Sequence, residues 1–298
     1  VKAMQVDTVV PVPRANRSQP AWQRFSQRVP LVLTYLVLVL IALAYVIPFL
    51  WLLSGALKSN HELFASPVVW IPKHWMFSNF VEAFRQFPFL LYLRNTLIIV
   101  GCNLVGVVLS NTLIAYGFAR VNWPFRNAVF ILVLATMMLP FQVTMIPLFV
   151  LFTNLGWIGT FLPLIVPSFF GNAFYIFLLR QFFIGIPKDL SDSAKVDGAS
   201  EFRIYWQIIL PLAKPVVTTV AIFSFIHDWG DFIGPLVFLS NNKLYTLSLG
   251  IQQIMSANDP RWTLLLAVGV SMTVPVLLLF FFMQRQFIQG ISFTGIKD

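Results

Sequence analysis

Apolar residues in this chain come in long uncharged runs, with the polar and charged residues gathered between them. A helix needs about 20 mostly apolar residues to cross the hydrocarbon core of a bilayer. Residues 31–57 carry no charge, nor do residues 95–119. Residues 127–179 form one uncharged stretch, too long for a single crossing at about 1.5 Å per residue. The segment Thr153-Asn154-Leu155-Gly156-Trp157-Ile158-Gly159-Thr160 divides it. The pattern predicts an all-α membrane fold with six spans at about 31–57, 95–119, 127–152, 161–183, 212–236 and 262–283. Together they make a transmembrane domain over residues 30–286. Pro48, Pro140, Pro147, Pro163, Pro167, Pro235 and Pro275 fall within or near these spans. Each removes a backbone donor and bends a helix, so the bundle is expected to bend around a pathway.

Composition agrees with the pattern: 58% of residues are hydrophobic and 10% charged, against about 25% charged in soluble domains. The net charge of +9 is read as topology rather than nucleic-acid binding, because the basic residues flank the apolar runs. With the amino terminus inside, fourteen of the 20 Lys and Arg residues fall on inner segments, among them Arg14, Arg24, Arg120, Arg126, Arg180, Lys188, Lys195, Arg203 and Lys214. The remaining six, Lys58, Lys73, Arg85, Arg94, Lys243 and Arg261, fall outside. Both termini are therefore expected in the cytoplasm, as tails 1–29 and 287–298 of a multi-pass cell-membrane protein. The apolar run after the first tail is too long for a signal peptide and lacks a small-residue cleavage site. Trp70, Trp75, Phe77 and Phe80 mark an outer segment lying at the membrane interface. Cys102 is the single cysteine, which excludes an intrachain disulfide. His61 and His74 have no ligand cluster around them, so no metal is expected.

The inner loop 184–211 is the most informative segment. Pro187, Asp189 and Ser191 form a helix-start signature, with Asp192 in the first turn, where a negative charge suits the positive helix end. Gly198 can take the left-handed conformation that closes a short helix. Phe202, Tyr205, Trp206 and Ile209 then fall at helical spacing, as one apolar face of a second helix, with Pro211 ending it. Two short cytoplasmic helices joined at Gly198 are predicted.

This loop resembles the EAA loop of ABC importer permeases. Asp192-Ser193-Ala194 stand at the Glu-Ala-Ala positions, Asp197-Gly198-Ala199 match the Asp-Gly-Ala centre, and Ile209-Leu210-Pro211-Leu212 with Pro215 match the end. Asp replaces Glu and Ser replaces Ala. The resemblance is closest to carbohydrate permeases of the maltose and oligosaccharide type. It extends through Pro48-Phe49-Leu50-Trp51, Ala115-Tyr116-Gly117-Phe118-Ala119-Arg120, Met137-Met138-Leu139-Pro140, Phe177-Leu178-Leu179-Arg180-Gln181-Phe182-Phe183 and Gln284-Arg285-Gln286-Phe287. Trp229-Gly230-Asp231-Phe232 stands where that group has Trp-Asn-Asp-Phe.

The resemblance implies a type I ABC importer permease fold and half of an alternating-access pathway for sugar. It also implies a homologous second permease, two ATP-binding subunits and an extracytoplasmic sugar-binding protein. The chain has no Gly-x-x-x-x-Gly-Lys phosphate loop, so ATP and Mg are expected in the ATPase partners. No cofactor, nucleic acid or enzyme activity is assigned to this chain. Asp192, Ser193, Ala194, Asp197, Gly198, Ala199 and Glu201 would couple to the ATPase. Ser256, Ala257, Asn258, Asp259 and Pro260, in an outer loop, would contact the binding protein.

Asp228 and Asp231 are the acids within a span. Each would cost about 2.5–3.5 kcal/mol facing lipid at mid-bilayer, so both should face protein or a cavity. With Trp229 they are candidates for the pathway wall, where carboxylates accept bonds from sugar hydroxyls; a structural network is the other reading, and His227 beside them fits a structural hydrogen bond. An ion-coupled secondary transporter would show internal repeats and charge relays, and no clear repeat is visible. An ABC permease for a non-sugar solute stays open.

Overall fold

The computed structural model describes residues 21–255 and 261–292, and every regular element among them is helical. In chain order these are α1 (Ala21–Ala56), α2 (Asn60–Leu63), α3 (Ser78–Gln86), α4 (Phe89–Ala119), α5 (Arg126–Ala135), α6 (Phe141–Asn154), α7 (Leu162–Ile165) and α8 (Ala173–Gly185). Then come α9 (Asp189–Val196), α10 (Glu201–Ile204), α11 (Leu210–Leu212), α12 (Lys214–Gly230), α13 (Ile233–Phe238), α14 (Leu247–Met255) and α15 (Trp262–Ser292).

The chain divides between Trp51 and Leu52. In the first unit, every side chain of α1 from Val32 to Leu50 is exposed. A helix apolar on all sides and unburied is a lipid-facing one. At the foot of α1, in the second unit, buried Asn79 donates from its amide to the carbonyls of Ala56 (2.9 Å) and Lys58 (2.8 Å). That satisfies acceptors which a helix end leaves open.

Four helical stretches are long and apolar enough to cross a membrane: Val32–Ala56, Phe89–Ala119, Leu162–Gly185 and Trp262–Gln284. Two further pairs reach that length only together, raising the number to as many as six if each is one crossing. The stretch 127–152, expected as a single run, is α5 and α6 meeting at 99°. Pro140 lies at the break and Leu139 before it is extended, because the proline ring disfavours helical geometry in the preceding residue. The stretch 212–236 is likewise interrupted. α12 is bent 79° from the preceding helical segment and ends at Gly230, and α13 begins after Asp231 and Phe232.

α4 is the centre of the second unit, packed against α8, α12 and the 3-10 segment Val166–Phe170. Two apolar clusters form at its opposite ends. One gathers Tyr116, Leu179, Phe183, Ile204 and Ile209; the other gathers Phe87, Tyr92, Trp229, Leu247 and Val268. Tyr92 and Tyr116 are separated by roughly 36 Å of helix. The polar residues of α4 serve the irregular backbone around it. Asn95 donates to Lys243 and Tyr245 carbonyls, Thr96 accepts from Leu247 N, Ser110 donates to Ser168 O, and Asn111 accepts from Asn172 N at 2.6 Å. Inside a bilayer no water is present to satisfy broken helices, so neighbouring side chains must do so. Gly106 lets the Val166–Phe170 segment approach: a Cβ there would collide with Ser168 Oγ and lie 2.9 Å from the Phe169 ring.

Candidate functional site

The first site is the 184–211 loop. α9 carries Asp189 and Asp192 in its first turn and closes in a Schellman turn. Ala199 N donates to Ala194 O (2.9 Å), Gly198 N donates to Lys195 O (3.0 Å), and Gly198 has φ +78°. The pattern needs a left-handed residue just past the helix, which glycine adopts without a Cβ penalty. Ser200 then caps α10 by accepting from Arg203 N at 3.3 Å.

Glu201 fastens this loop to α4. One carboxylate oxygen pairs with Lys195 Nζ at 2.7 Å, and the other accepts from the Tyr116 hydroxyl at 2.6 Å. Burial would raise the Glu201 pKa, but the bonds from Lys195 and Tyr116 outweigh it and hold the carboxyl below its ordinary value; the same bond to Glu201 raises Lys195. Nearby, the hydroxyls of Thr112 and Tyr205 meet at 2.7 Å, and the Arg120 guanidinium donates to Ile186 O. Arg180 stacks over Phe130 with its guanidinium carbon 4.1 Å from the ring centre. Tyr116, Thr112 and Arg120 were not singled out as site residues from the sequence. Tyr116 and Arg120 stand in the 115–120 motif, but their contacts could not be read from it, because the partners of all three lie 66 to 93 residues away.

The single apolar face expected for Phe202, Tyr205, Trp206 and Ile209 is split. Tyr205 and Ile209 are buried, whereas Phe202 and Trp206 are 66% and 52% exposed. The exposed pair and the buried pair each keep i, i+4 spacing, and a π turn over Tyr205–Ile209, in which Leu210 N bonds to Tyr205 O, follows Phe202. The second helix also continues through Pro211 to Leu212. Asp192, Ser193, Asp197 and Gly198 are exposed, Ala199 is half-buried and Ala194 is buried. Val196, at 88%, and Phe202 add apolar surface to the loop.

The second site is a cavity of about 580 Å³ beside α4, between the two apolar clusters. α4 contributes Thr96, Ile99, Asn103 and Val107; α8 contributes Tyr175; α12 and the residues after it contribute Ser224, His227, Asp228 and Asp231. Asp228 accepts from Ser224 Oγ at 3.1 Å through one oxygen, and its other oxygen is 3.1 Å from His227 Nδ1. Asp231 closes α12 and caps α13, accepting from Gly234 N at 3.2 Å. Both acids thus reach the same cavity, although the helix ends between them. Trp229 is not among the lining residues: it is buried, stacked on Phe225, and donates from Nε1 to Met272 O of α15 at 3.1 Å. Ser256, Ala257, Asn258, Asp259 and Pro260 lie outside the described residues.

Residues 103–293 match the family of binding-protein-dependent transport system inner membrane components. The arabinooligosaccharides transport system permease protein AraQ of Bacillus subtilis is 32% identical over 91% of this chain and 96% of its own. The lactose transport system permease protein LacG of Rhizobium radiobacter is 31% identical over 89% and 96%. Among solved structures, a bacterial ABC transporter that imports the acidic polysaccharide alginate has a chain with the same fold. The TM-score is 0.78 at 22% identity, covering 87% of this chain and 97% of the other.

Proposed function

This chain belongs to the family of binding-protein-dependent transport system inner membrane components, and on that premise we propose that it is one of two permeases in an ATP-driven sugar importer. The observation that carries the sugar assignment is the alignment of nearly its whole length with permeases named for arabinooligosaccharides and lactose. In this reading α5 with α6 completes one crossing and α12 with α13 another, giving six spans with both termini in the cytoplasm. The excess of basic residues on the inner segments supports that orientation. A homologous second permease supplies the other half of the pathway. Two ATP-binding subunits hold ATP and Mg, and an extracytoplasmic binding protein delivers sugar near residues 256–260.

The loop 184–211 transmits the motion. α9 is short and closed by a fixed turn, and it is joined to α4 through the Lys195, Glu201 and Tyr116 chain. The exposed residues Asp192, Ser193, Asp197 and Gly198 and the apolar Val196 and Phe202 face the ATPase. A displacement of α9 is then carried into α4 and α12 as rigid-body movement. Asp228 and Asp231 form part of the pathway wall, and Trp229 holds α12 against α15.

The test is purification of the chain from its native membrane, followed by uptake in proteoliposomes. Co-purification of a second permease and ATP-binding subunits, with sugar uptake that requires ATP and the binding protein, is the expected result. A chain that comes away alone and carries solute without ATP overturns the reading.

A further inference from the structure

Asn95, Thr96, Ser110 and Asn111 on α4 each hydrogen-bond irregular backbone of a neighbouring segment, which accounts for four of its polar side chains. Asn103 is different. It lies midway along the same helix, is 6% exposed, and lines the cavity, yet its side-chain oxygen has no hydrogen-bond partner among the described residues. A buried acceptor left empty is unfavourable, and native structures keep few of them. The cavity that Asn103 adjoins is large enough for a sugar unit and contains the two carboxylates of Asp228 and Asp231. Among the described residues that line it there is no Lys or Arg. The wall thus carries two carboxylates and no Lys or Arg, alongside the neutral polar groups of Gln142, Asn172 and Tyr175 and the His227 ring.

We propose that this cavity is a sugar-binding subsite carried by this subunit itself, which takes uncharged sugars through their hydroxyl donors and rejects anionic ones such as uronates. The proposal rests on the transport reading above and narrows it to a substrate class. A neutral sugar supplies hydroxyl hydrogens to the carboxylate edges and, with a turn of the Asn103 amide toward the cavity, to the now sealed Oδ1, and each hydroxyl can also accept from Tyr175. A uronate brings a carboxylate that cannot donate at neutral pH. It would sit beside two acids with no Lys or Arg to meet it and with His227 already held 3.1 Å from Asp228, which like-charge repulsion in a low-dielectric site makes unfavourable. Asp228 and Asp231 already have local partners in Ser224, His227 and the Gly234 amide. Those partners fix the carboxylate orientations before the ligand arrives, as a preorganised site requires.

The experiment uses the assembled importer in nanodiscs without its binding protein, so that the selectivity of that protein does not intervene. Photoreactive diazirine derivatives of lactose, arabinotriose and trigalacturonate are cross-linked to it, and the attachment points are mapped by mass spectrometry. At least one neutral probe should label the 96–107 or 224–234 segments, be displaced by the unmodified sugar, and exceed trigalacturonate by about tenfold. Asn103→Leu should lower that labelling by about tenfold, as expected for a lost hydrogen bond. Asp228→Asn combined with Asp231→Asn should raise trigalacturonate labelling. If Asn103→Leu fails to assemble, Asn103→Ser, which keeps an oxygen acceptor on a shorter arm, should assemble and show intermediate labelling. The proposal is overturned if trigalacturonate labels these segments as well as the neutral sugars do, if no neutral probe labels them, or if the Asn103 variants label like the native chain. Uptake by the same complex with binding protein added separates the two failures. ATP-driven sugar uptake without cavity labelling removes only the subsite, whereas absence of ATP-driven uptake removes the transport reading and the subsite with it.

Discussion

Gly198 and Glu201 play different parts within a few residues of each other. Gly198 has φ +78° with open space where a Cβ would go, so Gly198→Ala carries only the backbone cost, about 1–2 kcal/mol. Its melting temperature in detergent should fall modestly while ATPase stimulation survives. Gly198→Pro also deletes the N–H that bonds to Lys195 O and forbids the left-handed turn. We expect membrane insertion to continue and transport-coupled ATP hydrolysis to be lost; normal coupling in this variant would show that α9 is not the transmitting element. Glu201→Gln retains an acceptor for Tyr116, and the half-exposed pair with Lys195 is screened by solvent and contributes little. Glu201→Ala strands the Tyr116 hydroxyl and should cost more, about 1–3 kcal/mol, measurable as a larger drop in melting temperature than Glu201→Gln produces. Because the folded Glu201 carboxyl titrates below its ordinary value of 4.5, its contribution is complete above that pH and is lost as pH falls through the lower folded value. Melting curves from pH 7 to pH 3 should therefore converge for native and Glu201→Gln protein at the acid end.

Glycines on one helix separate packing from propensity. A Cβ at Gly106 would collide with Ser168 and Phe169 of the segment packed against α4, whereas at Gly101 nothing lies within 4 Å. Gly106→Ala should destabilise the bundle by about 1–3 kcal/mol through overpacking. Gly101→Ala should be neutral or stabilising by up to about 1 kcal/mol. Thermal unfolding of the two purified variants checks this, and equal stability would mean that α4 does not pack on the Val166–Phe170 segment as described. The breaks after Met138 and Gly230 follow different physics. Pro140 removes a donor and restrains Leu139, so a break is readable at that position. The end of α12 has no such marker: Gly230-Asp231 is closed by Asp231 capping α13 and by Ser248 donating to Asp231 O.

For the whole molecule, orientation is directly testable because Cys102 is the single cysteine. In a Cys102→Ser background, Val196→Cys should react with an impermeant maleimide only in inside-out vesicles, and Lys243→Cys only in right-side-out ones. Labelling of Val196→Cys from outside would place the 184–211 loop on the outer face and remove the role proposed for it. Exposed apolar side chains along α1, α6 and α15 would be an aggregation hazard in water and are a lipid-contact surface in a membrane. On α4 the polar Asn95, Thr96, Asn103, Asn111 and Thr112 lie inside instead, as expected where lipid supplies no hydrogen bonds.

The long uncharged runs, the basic flanks and the turn at Gly198 were legible in the chain alone, because each depends on residues adjacent in sequence or on the energy of one side chain in lipid. The place of Asp228 and Asp231 away from lipid followed from the same reasoning, since the cost of an exposed acid needs no neighbour to be known. Tertiary structure decided the rest. It bent 127–152 by 99°, left Phe202 and Trp206 exposed while burying Tyr205 and Ile209, and drew Trp229 into the core against α15. Glu201 was brought to Tyr116 across 85 residues and Asn95 to Tyr245 across 150, while Asn103, among the described residues that line the cavity, was left with its oxygen unmet. Hydrogen bonds and close packing join residues remote in the chain, and a run of letters does not record which remote backbone will arrive beside a given side chain.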